Sequence, residues 1–227
     1  MKSITEVQIS ANDIVSFTDL YTFNKQRIEK EQSEFESKSS LTKVTSSIKY
    51  LRDQIHNNNT SKSVIQIPKL LRSLAVLSRF KIGTHQREEI DLQRIEVIHW
   101  SRDCLSQIQE YGDEQDQIDI VNQGFGRVIS ISYCSAGGVG EEQDYEIYNG
   151  LFYIYYFLRE LHDGRNNWYP SFQPLPLLAL NTEEQIEDEG ANEEIDAQLN
   201  NEGNDGDIKN WANRAKAAIL NHFIHRN

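Results

Sequence analysis

Residues 145–161, YEIYNGLFYIYYFLREL, limit the folds open to this chain more than any other stretch. They hold seven aromatic rings in the longest apolar run of the sequence. The run is shorter than the roughly 20 residues a helix needs to cross a bilayer. Asn149 and Gly150 also interrupt it, and Arg159, Glu160, His162 and Asp163 close it. Read at helical spacing, Ile147, Leu151, Ile154, Leu158 and Leu161 fall on one stripe, which Tyr148, Phe152 and Tyr155 widen. Such a helix needs cover on most of its circumference. Gly164, after a charged last turn, predicts where it stops. Tyr, Phe and Ile also suit pleated surfaces, so the competing reading is an α+β fold with a strand pair in 127–158. Length favours the helix, since strands usually run to about 4–8 residues.

A chain of 227 residues can bury a substantial core around such an element. Only 38% of the residues are hydrophobic, however, so part of the chain is expected to stay outside it. The charges indicate which part. Residues 1–87 hold 14 Lys and Arg against 8 Asp and Glu, residues 88–180 hold 5 against 16, residues 181–207 none against 11, and residues 208–227 hold 4 against none. The net charge of −12 is therefore sorted along the chain. The acidic stretch 181–207, with Ile186, Ile195 and Leu199 as its main apolar residues, reads as a flexible linker.

The rest of the chain is dominated by helical spacing. Residues 1–10 read as loose, and Asn12 or Asp13 can cap a helix beginning at Ile14 with Phe17, Leu20, Tyr21, Ile28 and Phe35 as its apolar set. Leu41, Val44, Ile48, Leu51 and Ile55 keep an a/d pattern over two heptads, which fits a bundle helix better than a free coiled coil. Pro68 reads as the first residue of a helix carrying Leu70, Leu71, Leu74, Leu77 and Phe80. Residues 88–111 place Ile95, Ile98, Leu105 and Ile108 on one face, with Leu92 and Cys104 beside it. Residues 118–134 stay ambiguous, because VISISY suits either a buried helix or a strand, and Gly124 and Gly126 weaken both. Residues 166–176, with Pro170, Pro174 and Pro176, read as an extended loop. The expected architecture is thus mainly α: an irregular multi-helix bundle over 11–180, an acidic linker over 181–207 and an amphipathic helix over 208–226.

Two surfaces carry functional expectations. Between residues 62 and 87 stand Lys62, Lys69, Arg72, Arg79, Lys81 and Arg87 with no acid among them. Clustered bases displace counterions from a polyanion, so this is the candidate phosphate-contacting or acidic-partner surface. The C-terminal helix aligns Trp211, Ala215, Ile219 and Phe223 as a candidate docking face, directed at the chain's own core, at a partner protein or at a membrane surface.

Catalytic patterns are scarce. Gly137, Gly138 and Gly140 lack the Lys-Ser/Thr that completes a phosphate loop, and Glu141 and Glu142 follow. Asp53-x-x-His56 and Glu96-x-x-His99 have the spacing used in di-metal helical bundles, but no further core Glu is evident to complete such a site. His222 and His225 have no second pair of ligands, and Cys134 reads as a small buried hydrophobe. Neither a cofactor nor a metal is expected. Two cysteines and an N-terminus without an apolar core suggest a reducing compartment, cytoplasmic or nuclear. The functional expectation is a non-catalytic helical adaptor or structural subunit that holds protein partners; the alternative is a nucleic-acid-binding protein using residues 62–87, with the acidic linker as internal competitor.

Overall fold

The computed structural model describes residues 2–25, 38–58, 61–80, 88–134, 141–166, 170–201 and 207–224. Eleven α-helices account for most of them, so the fold is a mainly α multi-helix assembly. The single helical body expected over 11–180 is divided, because the chain forms two compact units, Met1–Gly112 and Asp113–Asn227. The division falls where one long helix ends at Tyr111 and Asp113 caps the next.

The first unit holds α1 (Lys2–Lys25), α2 (Lys38–Asn58), α3 (Ser61–Ile65), α4 (Leu70–Leu77) and α5 (Glu88–Tyr111). The two-heptad stripe of α2 is its centre: Leu41, Val44, Ile48, Leu51 and Ile55 are all buried. Helix α1 begins twelve residues before the expected Ile14, because Val7 and Ala11 carry the buried stripe back toward its start. Leu20, expected on that stripe, is half exposed, as are Ile9 and Phe23; Ile28 and Phe35 lie outside the described residues. Helix α1 runs antiparallel to α2, since Lys43 pairs with Asp13 at 2.7 Å while the Tyr50 hydroxyl donates to Glu6 at 3.0 Å.

Helix α5 runs parallel to α2, in constant register. Lys38 meets Glu89, Gln93 donates to the Thr42 hydroxyl at 3.2 Å, and His56 meets Gln107 at 3.0 Å, each partner lying 51 positions further on. A parallel neighbour requires a crossover, which α3 and α4 supply. Their entry corrects one expectation. Pro68 is not the first helical residue; it sits in a turn closed by the Leu70 N–H on the Ile67 carbonyl at 3.2 Å. Lys69 follows at φ 65°, the left-handed position of such a turn, where glycine is usual. Leu70, Leu71, Leu74, Leu77 and Phe80 are buried as expected, with the Phe80 ring edge-on to Tyr21. Ile98, Leu105 and Ile108 of α5 are buried with Val97 and Cys104, but Leu92 and Ile95 are exposed.

The second unit holds α6 (Glu114–Asn122), α7 (Phe125–Cys134), α8 (Glu141–Asp163), α9 (Pro176–Asp188), α10 (Ala191–Gln198) and α11 (Asp207–Ile224). Helix α8 contains the aromatic run, and VISISY lies in α7, so the strand-pair reading falls. Among the described residues the sole β contact is an isolated bridge between Arg165 and Phe172. Leu151, Ile154, Leu158 and Leu161 are fully buried, Ile147 nearly so, and Phe157 stands edge-on to Phe125 at 5.1 Å. Gly164 stops α8 at φ 76°; a Cβ there would approach the Phe172 carbonyl to 2.8 Å.

The acidic stretch expected as a flexible linker is instead helical through α9 and α10, up to the undescribed residues 202–206. Its apolar residues are few, yet Ala179, Ile186, Ala191 and Ile195 are all buried. Between them, bonded polar groups fill the inward face. The Thr182 hydroxyl donates to the Leu178 carbonyl, and the Gln185 amide donates to the Val121 carbonyl while accepting from the Gly126 N–H. A buried polar group that keeps its hydrogen bonds does not carry the desolvation cost of an orphaned one.

Candidate functional sites

The expected basic surface is placed only in part. Lys81 and Arg87 lie outside the described residues, and Lys62 is described in backbone only, within α3. Of the rest, Lys69 pairs with Asp19 at 2.9 Å and the Arg79 Nε donates to the Ala75 carbonyl at 3.2 Å. Arg72 is exposed on α4. One base of this surface is thus already neutralised by the chain's own acid.

The expected docking face of the C-terminal helix turns inward. Trp211 is 9% exposed, Ala215 is fully buried and Ile219 is 8% exposed; the Phe223 side chain is not described. Of the three targets expected for this face, it meets the chain's own core, which follows from what covers α8. The widened stripe needed an apolar lid, and α11 supplies it. Trp211 lies within ring contact of Phe152 at 5.0 Å, Tyr155 at 5.7 Å, Tyr156 at 5.8 Å and Tyr148 at 6.0 Å. Ring centroids at about 4.5–7 Å in tilted or edge-on arrangement are the favoured aromatic geometry.

These contacts create a surface that the sequence did not single out. Phe152, Tyr155 and Tyr156 are only half-buried, and two exposed arginines lie over them. The Arg214 guanidinium sits 4.7 Å from the Trp211 ring centre and 5.9 Å from that of Tyr155; Arg159 sits 5.9 Å from that of Tyr156. Together they form a ridge of rings capped by guanidinium groups. The sequence signal was present in the tyrosines that widened the α8 stripe, but pairing them with Arg214 requires knowing that α11 folds back.

A second constellation lies along the α2–α5 seam. The two carboxylate–histidine spacings, Asp53/His56 and Glu96/His99, come to this one helix pair with Asp103 near both histidines. They do not make a metal centre: among the described residues no three His, Cys, Asp or Glu side chains are arranged to hold an ion. Cations occupy the seam instead. Arg52 bridges Asp53 and Asp103 at 3.0 Å each, and Arg52 and Lys49 both lie 4.7 Å from the Trp100 ring centre. His56 also meets the Tyr111 hydroxyl at 3.2 Å. Burial pushes the Asp103 carboxyl above its ordinary value, against the pull of Arg52 and the two histidines. Burial also drives the neighbouring Cys104 thiol far up, which keeps it protonated and weakly nucleophilic. Cys134, the other cysteine, is described in backbone only.

No protein-family model, curated protein or solved structure matches this chain. Among the described residues, no helix is long and apolar enough to cross a membrane.

Proposed function

We propose that this chain is a non-catalytic helical adaptor or structural subunit that holds a partner protein in a reducing compartment, the cytoplasm or nucleus. The observation that carries the reading is the half-buried ridge of Phe152, Tyr155, Tyr156, Arg159 and Arg214 around Trp211. Tyr, Trp and Arg are the residues that most often dominate binding energy at protein interfaces, because they combine a large apolar body with directed donors. Cys104 supports the compartment, since a free buried thiol is ordinary where thiols stay reduced.

Surface substitution tests this better than truncation. Cutting the chain before α9 would strip α11 from α8 and uncover Trp211 together with the core beneath it. The informative comparison is the full-length chain against Phe152→Ala/Tyr156→Ala, each immobilised and used to recover cross-linked proteins. A partner held by the wild type and lost from the folded variant is the expected result. An unchanged recovered set would remove the ridge, and with it the basis for the adaptor reading.

A further inference from the structure

We propose that the α8–α11 ridge binds an acidic segment of a partner protein, Arg159 and Arg214 each engaging a carboxylate while the rings receive neighbouring apolar side chains. The inference rests on the adaptor reading and names the chemistry of the partner.

Charge composition makes these two arginines exceptional. The second unit contains 21 Asp and Glu against 7 Lys and Arg, so a base there has acids in abundance. Others use them: Arg127 meets Asp188 at 2.7 Å and Glu189 at 3.7 Å, Arg165 meets Glu160, and Lys216 meets Asp196. Arg159 and Arg214 meet no carboxylate among the described residues. Both are exposed, and what each touches is an aromatic ring.

An arginine held over a ring is restrained before any ligand arrives, while its in-plane N–H donors stay available at the edges of the guanidinium. Those donors match the two oxygens of a carboxylate. Charge-assisted, forked hydrogen bonds are the strong ones, and restraint lowers the entropy lost on binding. Tyr155 and Tyr156 connect the two arginines through ring contacts at 5.1 Å, so one continuous aromatic floor joins the two cationic points. A short peptide with one or two carboxylates beside apolar side chains fits this layout. A nucleic acid fits it poorly. Its closely spaced phosphates would extend across a unit carrying a net −14, with few bases to displace its counterions.

The test uses the full-length chain and an array of dodecapeptides combining Asp or Glu with Leu, Phe or Trp at varied spacings. A matched array carries Asn and Gln in place of the acids, and labelled oligouridylate serves as the polyanion. Expected are binding by a subset of acidic peptides, roughly tenfold weaker binding of their amide counterparts, and a similar loss in Arg159→Gln/Arg214→Gln. Arg159→Lys/Arg214→Lys should fall between, and Lys209→Gln, an exposed base elsewhere on α11, should bind as the wild type. Helix content by circular dichroism confirms that each variant folds. Binding by no acidic peptide, equal binding of the amide array, or oligouridylate binding that the double variant loses would each overturn the proposal. If Phe152→Ala/Tyr156→Ala still costs the chain its partner in any of those cases, the adaptor reading stands and only the acidic specificity falls.

Discussion

The two units use the same helical grammar to opposite ends. The first is nearly balanced in charge, with 16 Lys and Arg against 14 Asp and Glu, and it sets opposite charges on facing helices. Along the parallel α2–α5 pair, Lys38–Glu89 and Arg52–Asp103 lie at an offset of 51 positions, and Lys49–Glu96 reaches one turn back at an offset of 47. All three bases stand on α2 and all three acids on α5, so the ladder favours the side-by-side association of these two helices, although its two exposed pairs add little stability each. The second unit, with a net −14, has no such balance. It is held by wrapping short helices around one aromatic helix and by bonded polar groups inside. Charge therefore pairs a row of bases with a row of acids in one unit, while in the other acids outnumber their possible basic partners three to one.

Deleting core volume gives the largest expected effect and tests the division itself. Leu51 and Leu151 are both fully buried, in α2 and α8 respectively. Leu→Ala at either should cost about 2–5 kcal/mol. In Leu151→Ala, amide exchange followed by mass spectrometry should accelerate across residues 113–227 and leave 1–112 close to wild type; Leu51→Ala should do the reverse. If either substitution accelerates both halves equally, the units unfold as one, and the contrast between them loses its thermodynamic meaning.

The next effect concerns close approach, which the second unit uses and sequence patterns hide. Gly126 reads from sequence only as a weak point in helix or strand. In the structure a Cβ at this position would lie 2.9 Å from the Thr182 carbonyl oxygen and 2.9 Å from the Gln185 Cβ, so the glycine lets α7 and α9 touch. Gly126→Ala should destabilise the second unit by about 1–3 kcal/mol of overpacking, less the roughly 1 kcal/mol that alanine gains in a helix. Urea denaturation read on that unit checks it, and a more stable variant would show that α9 yields easily.

The same logic separates what was legible from what was not. The stripes of α2, α4 and α8 could be read directly, because each repeats aliphatic residues at three and four over several turns. Helices α9 and α10 could not. Their inward faces alternate alanine and isoleucine with Thr182, Glu183 and Gln185, and a count of apolar residues scores those as solvent-facing. Glu183 is buried because His162, a full loop away in sequence, meets it at 2.8 Å. The ridge was half legible: its rings stood in the sequence, while the fold-back that brings Arg214 to them depends on pairing between α8 and α11. In the first unit, Trp100, Arg52 and Asp103 went unnoticed because their relation is an offset of about fifty residues between parallel helices, which no local window contains.

The smallest effect sharpens the account of the charged seam. Asp103 is three-quarters buried between α2 and α5, and its carboxyl is raised from the ordinary value of 3.8, with burial the largest cause. A carboxyl raised in the fold binds its proton more tightly there than in the unfolded chain. Its contribution to stability therefore falls as pH rises through the folded value, and is most favourable below 3.8, where both states are protonated. Asp103→Asn removes that dependence. Plotted against pH, the stability of the wild type minus that of the variant should increase as pH is lowered from neutrality into the carboxylate range, and flatten below it. Arg52 and the two histidines face the same carboxyl, with Asp53 acting against them, so the variant also tests how far cations offset burial. A difference that decreases with acidification would mean that Arg52 outweighs burial, and that the seam acts here as an attractive ion pair.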